Sequence, residues 1–317
     1  MKRCLYCYQT LETVSVDFHP ACSKKIFGTT TTPELPYASG DMIALGTKVI
    51  QSQFSITGAQ PKLSLDIEKA PSEKHGKFTI VGLWGNYILK PPSEKYIQLP
   101  EVEDLTMHLA SIARIAVVPH SLIRMKDGKL AYITRRIDRQ KKRNTIIKIH
   151  MEDMCQLTER LTEDKYNGSY EQIAKVIWNH SSQPVLDIIN FYEQVLFSFL
   201  TGNADMHLKN FSLLNTIQGE YKLTPAYDLV STALVMPEDK EDLALHLNGR
   251  KRKLNRIDFI TAFNGSGLAE KQKLNIFNKM FDKKNQWFSF IDTSFLNPEL
   301  KTEYKATIEE RFKRLKP

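Results

Sequence analysis

The chain has 317 residues, 42% of them hydrophobic and 25% charged, which suffices for two lobes with a sizeable core and excludes wholesale disorder. Its net charge of +8 suits anionic partners such as nucleic acid, phosphorylated ligands or acidic proteins, without choosing among them. Met1-Lys2-Arg3-Cys4 leads into polar sequence rather than an apolar secretory core, and no stretch approaches the ~18 apolar residues of a membrane span, so a cytoplasmic protein with no membrane partner is expected.

The first block, residues 1–37, carries three of the four cysteines. Four cysteines in a cytosolic chain do not suggest a disulfide framework. Cys4-x-x-Cys7 followed by His19-x-x-Cys22 forms a candidate structural Zn²⁺ site of the Cys₃His type, and a block this small needs something to order it. The alternative reading is reduced, buried cysteines in a hairpin. Thr29-Thr30-Thr31-Thr32-Pro33 and Leu35-Pro36 read as extended linker, because residues before proline avoid the α region.

Residues 38–138 read as a small β-rich lobe. Phe54 to Gly58 meets Pro61 to Ile67, and the second piece alternates apolar and polar residues as a half-buried strand does. Tyr87-Ile88-Leu89-Lys90 is a short strand stopped by Pro91-Pro92. Pro100 to Ala110 predicts a helix with proline and acids at its start, and Leu130 to Thr134 a further strand. From residue 139 to 317 the character is helical. Val185 to Leu200 places Ile188, Phe191, Tyr192, Val195, Leu196 and Phe199 at helical spacing, and more helices are expected beyond Arg256. Cys155 is expected in a helix core. The fold class expected is α+β, with a small β-rich N-terminal lobe and a larger α-helical C-terminal lobe.

The chemistry concentrates after the Val185–Leu200 helix, in Gly202-Asn203-Ala204-Asp205-Met206-His207-Leu208-Lys209-Asn210. Phosphoryl transfer needs a carboxylate to take the proton of the attacking hydroxyl, and an Asn five residues on to hold a metal. Asp205 and Asn210 have that spacing. Gly202 permits unusual backbone angles, and Lys209 can neutralise charge building on the transferred group. Eighteen residues on, Asp228 closes a short apolar run, suitable as a second Mg²⁺ ligand. Spacing alone is weak, since Asp and Asn are common turn formers and His207 reads equally as a loop histidine.

Gly202 to Ser212 followed by Pro225-Ala226-Tyr227-Asp228-Leu229 resembles the signature of HipA-type serine/threonine kinase toxins of bacterial type II toxin–antitoxin systems. Ser55-Ile56-Thr57-Gly58-Ala59-Gln60-Pro61-Lys62-Leu63 resembles that family's phosphate loop, and Tyr87-Ile88-Leu89-Lys90-Pro91 its ATP-lysine strand. Arg135-Arg136-Ile137-Asp138-Arg139 resembles the hinge, and His150 to Leu157 the first large-lobe helix. The likeness runs from about Tyr37 to the C-terminus. The chain is shorter than full HipA and resembles the short HipT-like branch, in which a separate small protein is similar to the missing subdomain.

The resemblance implies a bilobal kinase-like fold. Asp205 would be the catalytic base, Asn210 and Asp228 the Mg²⁺ ligands, and Lys90 the lysine on the ATP α/β-phosphates. His207 would lie near the γ-phosphate, and Tyr227 beside the nucleotide. Thr57, Gly58, Ala59, Gln60, Pro61 and Lys62 would form the phosphate loop, and Arg135, Arg136 and Ile137 would flank adenine. Arg135 stands where the hinge often carries an acid, and Pro61 removes one N–H donor from the loop. Glu103 is the candidate ion-pair partner of Lys90. Ser55 matches the family's autophosphorylated serine, with Thr57 as a second hydroxyl. The implied partners are a helix-turn-helix antitoxin, a small N-subdomain-like antitoxin and a protein substrate, an aminoacyl-tRNA synthetase. DNA would be reached only through the antitoxin. The alternatives are a nucleic-acid-binding regulatory module without catalysis, which has no need of Asp205, Asn210 and Asp228 in this order, and a small-molecule kinase.

Overall fold

A computed structural model of the chain describes residues 2–41, 62–68, 76–81, 85–142, 145–216 and 219–316. The residues divide into two compact units. The first comprises 1–104, 118–137 and 293–295; the second comprises 105–117, 138–292 and 296–317.

The first unit is built on a five-stranded sheet of β1 (Leu63–Glu68), β2 (Lys77–Ile80), β3 (Tyr87–Lys90), β4 (His120–Arg124) and β5 (Leu130–Arg135), in the order β2-β1-β3-β5-β4. Every pairing is antiparallel. The alternation in β1 does what its sequence predicts: Leu63 and Leu65 are buried while Ser64 and Asp66 are only partly covered. Leu89 in β3 pairs with Leu63 on one side and Ile133 on the other, so one apolar row crosses the centre of the sheet. The predicted strand over Phe54–Gly58 lies outside the described residues.

The N-terminal block joins this sheet in one core. Helix α1 (Pro20–Phe27) starts with proline at its first position and ends at Gly28, whose φ of 78° supplies the left-handed cap. Its buried face presents Cys22, Ile26 and Phe27 to Leu63, Leu65, Phe78 and Leu89. The rings of Phe27, Phe78 and Tyr87 meet edge to face at 5.4–5.6 Å or tilted at 6.2 Å.

The second unit centres on α5 (Pro184–Leu200), in which every residue from Phe191 to Leu200 is buried. A helix buried on all sides needs neighbours on all sides. They are α4 (Tyr170–His180), α8 (Glu270–Phe281) and α10 (Pro298–Arg314). Among the described residues the other helices are α3 (Met154–Leu157), α6 (Thr232–Val235), α7 (Arg256–Gly265), α9 (Lys284–Asp292) and α2 (Leu99–Ile112), whose first residues belong to the first unit. Phe199, Phe259, Phe263 and Phe277 stack along the α5 side of this core. Near the C-terminus, buried Asp242 takes Arg311 and Arg314 together, pinning α10 to the preceding loops.

Two small sheets complete the second unit: β6 (Arg139–Lys142) with β7 (Thr145–Lys148), and β8 (Met151–Asp153), β9 (Ser212–Asn215) and β10 (Tyr221–Leu223) in the order β10-β9-β8. Here the helix expected over His150–Leu157 is corrected. Met151–Asp153 pairs with β9, and only Met154–Leu157 is helical, started by a reciprocal cap between Asp153 and Gln156. A β-ladder partner sixty residues away outweighed the local helical pattern. Cys155 is buried in that short helix. Among the described residues, no helix is long and apolar enough to cross a membrane.

Candidate active site

In the second unit the segment 201–211 is an irregular loop with one short 3₁₀ turn, Leu208–Asn210, entered directly from α5. Gly202 has φ of 67°, and a Cβ placed there would come within 2.8 Å of the Ala233 Cβ. Only glycine meets both conditions without strain. We expect Gly202→Ala to lower stability by ~2 kcal/mol in urea unfolding. An unchanged midpoint would show that the loop tolerates another path.

Backbone and hydroxyl contacts fix the rest of the loop. The Thr232 hydroxyl accepts from Ala204 N–H at 2.8 Å and donates to the Gly202 carbonyl at 3.2 Å. Ala233 N–H donates to the same carbonyl. Tyr170, fully buried in α4, donates to the Met206 carbonyl at 3.0 Å. The Asn203 carboxamide oxygen accepts from Asp205 N–H at 3.0 Å. These contacts leave the Asp205 carboxylate only partly covered while its neighbours are buried.

Asp205 and Asn210 lie against each other. The Asn210 amide donates to the Asp205 carbonyl at 2.8 Å, and Asn210 N–H donates to the His207 carbonyl at 2.9 Å. Asn210 thus spends its NH₂ on the loop, and its oxygen is the atom suited to a hard cation. The Asp205 carboxylate accepts a 2.6 Å hydrogen bond from the Tyr166 hydroxyl. Burial, then the Asp205 charge, pushes the Tyr166 phenol far above its usual range, so it stays a donor.

His207 is 6% exposed, and its Nδ1 has no hydrogen-bond partner among the described residues. The Tyr166 ring meets it edge-on at 5.0 Å. Burial lowers its pKa to about 4, against the opposing pull of Asp205. The imidazole is neutral at pH 7. Because the folded value lies below the unfolded one, ~6.5, its stabilising contribution is present above pH 6.5 and is lost as pH falls from 6.5 through 4. The full loss is roughly 3 kcal/mol. In metal-free protein, wild type should lose more stability between pH 7 and 4.5 than His207→Asn. Equal losses would show that His207 titrates normally.

Lys209 points to Asp153, whose carboxylate it meets at 3.0 Å. That carboxylate also caps α3, so the lysine ties the loop to the short helix. Tyr227 donates to the Lys209 carbonyl at 3.1 Å and shares a 2.6 Å hydrogen bond with Ser212. It braces the loop from below. Asp228 follows with φ of 56°, a left-handed conformation that Asp tolerates better than most residues and that is enriched at functional positions.

The first unit carries its own constellation. Lys90, the last residue of β3, is 4% exposed and meets Glu103 of α2 at 2.5 Å; Glu103 is 1% exposed. The Lys90 ammonium also lies 5.4 Å from the centre of the Tyr132 ring, its cross-strand neighbour. Next to Glu103, Asp104 is fully buried and takes the Tyr8 hydroxyl at 2.8 Å and His120 Nδ1 at 2.6 Å. Arg135 ends β5 with its N–H on the Pro119 carbonyl, and Arg136 N–H bonds the Asn86 carbonyl. Lys62 precedes β1 and is exposed. Ser55, Thr57, Gly58, Ala59, Gln60 and Pro61 lie outside the described residues.

Sequence reading missed four participants: Tyr166, Asn203, Asp153 and Thr232. Asn203 lies inside the motif and could have been singled out as a short polar side chain able to bond two residues on. Tyr166, Asp153 and Thr232 are 27 to 52 residues away in the chain and carry no local signal. Asp228 and Asn210 offer carboxylate and carboxamide oxygens, hard donors of the kind that would suit Mg²⁺.

Comparison with known proteins places the chain in a family. The model of the HipA-like C-terminal domain matches residues 54–288. A relative from Haemophilus influenzae with a provisional kinase name is 31% identical over 209 residues, covering 63% of this chain and 59% of its own. A Shewanella oneidensis relative named serine/threonine-protein kinase toxin HipA is 30% identical over 195 residues, covering 56% of this chain and 43% of its own. The matches thus span about half the length of these relatives. Among solved structures, the Shewanella oneidensis HipA–HipB–operator DNA complex matches with TM-score 0.68 and 21% identity, covering 85% of this chain and 70% of that one. The Helicobacter pylori kinase CtkA matches with TM-score 0.54 and 17% identity, covering 80% of this chain and 93% of that one. The expected α+β kinase-like fold is therefore the observed one.

Proposed function

This chain belongs to the HipA-like C-terminal domain family, and from that premise we propose that it is an ATP- and Mg²⁺-dependent serine/threonine-protein kinase, the toxin of a type II toxin–antitoxin pair. The observation that carries the reading is the Asp205 loop. A half-open carboxylate is oriented by the Tyr166 hydroxyl, while Asn203 accepts from the Asp205 backbone N–H and the Asn210 carboxamide donates to the Asp205 carbonyl.

In this reading Asp205 accepts the proton of a seryl or threonyl hydroxyl as that oxygen attacks the γ-phosphorus. Asn210 and Asp228 hold Mg²⁺, which when bound offsets charge on the phosphate oxygens. Neutral His207 offers a donor or acceptor near the transferred group without adding a fixed charge. Lys90, held by Glu103, serves the α/β-phosphates. Thr57 to Lys62 cradle phosphate oxygens, Arg135 to Ile137 flank adenine, and Tyr227 supports the loop next to the nucleotide. Lys209 is the second catalytic candidate; its pairing with Asp153 favours a positioning role over direct contact.

The chain is assigned to the short HipT-like branch, with a helix-turn-helix antitoxin and a small N-subdomain-like antitoxin as partners. One structural neighbour is described as a complex of HipA with HipB and its operator DNA; in this reading the chain reaches DNA only through its antitoxin. The protein substrate is assigned to the aminoacyl-tRNA synthetases, and self-modification to Ser55 and Thr57. Phosphate at either residue adds up to two negative charges beside the nucleotide. The test is transfer of labelled γ-phosphate from ATP to the chain and to candidate synthetases, with peptide mapping. Label on Ser55 or Thr57 and on a synthetase is expected. No label with Mg²⁺ or Mn²⁺ would overturn the kinase reading, and label on a small molecule alone would redirect the substrate assignment.

A further inference from the structure

The N-terminal block holds a constellation that phosphoryl transfer does not use. Cys4 and Cys7 flank a tight turn in which Tyr8 N–H donates to the Cys4 carbonyl at 2.9 Å and Cys4 N–H to the Gln9 carbonyl at 2.8 Å. Tyr8 takes φ of 63° to close it. His19 immediately precedes α1, and Cys22 lies in its first turn, so the spacing of three brings both side chains to one face.

The four ligand atoms converge. Cys7 Sγ is 3.5 Å and Cys22 Sγ 3.8 Å from His19 Nδ1. All four ligand atoms lie within 4.8 Å of one another. Zn–S and Zn–N bonds of about 2.3 and 2.0 Å in a tetrahedron put donor atoms roughly 3.5–3.8 Å apart, which two of these separations already match. His19 Nε2 is 3.1 Å from the Thr10 carbonyl. A carbonyl only accepts, so the ring proton sits on Nε2 and the Nδ1 lone pair faces the sulfurs. This is the outer contact that orients a metal-bound histidine. None of the cysteines forms a disulfide.

We propose that Cys4, Cys7, His19 and Cys22 bind one structural Zn²⁺ in a closed Cys₃His site. Three thiolates and an imidazole are a soft donor set that selects zinc over Mg²⁺. Four protein ligands leave no open position, so the site is structural rather than catalytic. It orders a block whose regular structure, among the described residues, is the Arg3–Thr10 bridge, the eight residues of α1 and the Glu34–Lys77 bridge. It also fixes what that block supports. The turn closed by the metal delivers the Tyr8 hydroxyl to Asp104, and the Leu5 carbonyl accepts from Ser121 at 3.1 Å. Asp104 follows Glu103, the partner of Lys90. The metal turn therefore braces the start of α2 through a buried hydrogen bond.

The test is metal analysis of the full chain purified from zinc-replete medium. About one zinc per chain is expected, retained in Cys155→Ser and lost in Cys22→Ser. Because Cys22→Ser can also unfold the block, the wild-type chain is reconstituted with Co²⁺. Intense thiolate-to-cobalt charge transfer with visible bands of a tetrahedral site is expected, displaced by one equivalent of Zn²⁺. A strong chelator should lower the melting temperature by several degrees. Wild-type protein without stoichiometric zinc, without the cobalt spectrum, or with a disulfide among Cys4, Cys7 and Cys22 would overturn the site. None of these readouts depends on kinase activity.

Discussion

Replacing Asp205 by Asn should reduce phosphoryl transfer from ATP by about 10²–10⁴-fold, with the melting temperature held within a few degrees. The substitution keeps shape and keeps an oxygen for the Tyr166 hydroxyl now 2.6 Å away. It also leaves the backbone contacts of the loop intact, since Asn203, Thr232 and Asn210 bind main-chain atoms of residues 202–205. What it removes is the basicity that takes the substrate proton. Tyr166→Phe removes the orienting hydrogen bond alone and should cost about tenfold in kcat, with a small change in KM for ATP. If Asp205→Asn retains more than about a tenth of wild-type transfer, Asp205 is not the base.

Breaking the Lys90–Glu103 pair should give the largest change in stability. Both side chains are almost fully buried at 2.5 Å separation. Lys90→Met removes the ammonium that faces the buried Glu103 carboxylate, and a loss of ~3–5 kcal/mol in urea unfolding is expected. Lys90→Met combined with Glu103→Met exchanges the pair for apolar side chains of similar length and should recover much of that loss. Transfer from ATP should stay absent in both proteins, because the double variant restores packing without restoring the ammonium. A double variant no more stable than Lys90→Met would show that the two residues are not energetically coupled. Recovered activity would remove Lys90 from the nucleotide site.

Much of the architecture was legible locally. Tyr87–Lys90 stands as a strand with the bounds its sequence predicts, because Pro91 and Pro92 cannot extend a ladder. The helix expected from Val185 begins at Pro184, because proline is at home in a first turn. Glu103 met Lys90 as expected from an acid early in a helix after the lysine strand. The helix expected at His150–Leu157 failed in its first half, where a pairing with β9 decided the matter. The partners of the loop were hidden for the same reason. Tyr166, Asp153 and Thr232 reach it through folding of distant chain, and no period or spacing encodes such a meeting.

The sequence by itself determined the order of the chemistry: a cysteine–histidine pair of pairs, a strand lysine, then Asp205, Asn210 and Asp228 on one continuous stretch. Those are local properties, set by side-chain type, spacing and the turn residues between them. The tertiary structure alone decided what each group faces. It turned Lys209 onto Asp153, set Tyr166 on Asp205, buried His207, put Asp228 in a left-handed conformation, and gathered four ligand atoms around one point. Burial, hydrogen-bond geometry and backbone strain arise only when segments far apart in the chain exclude water from one another.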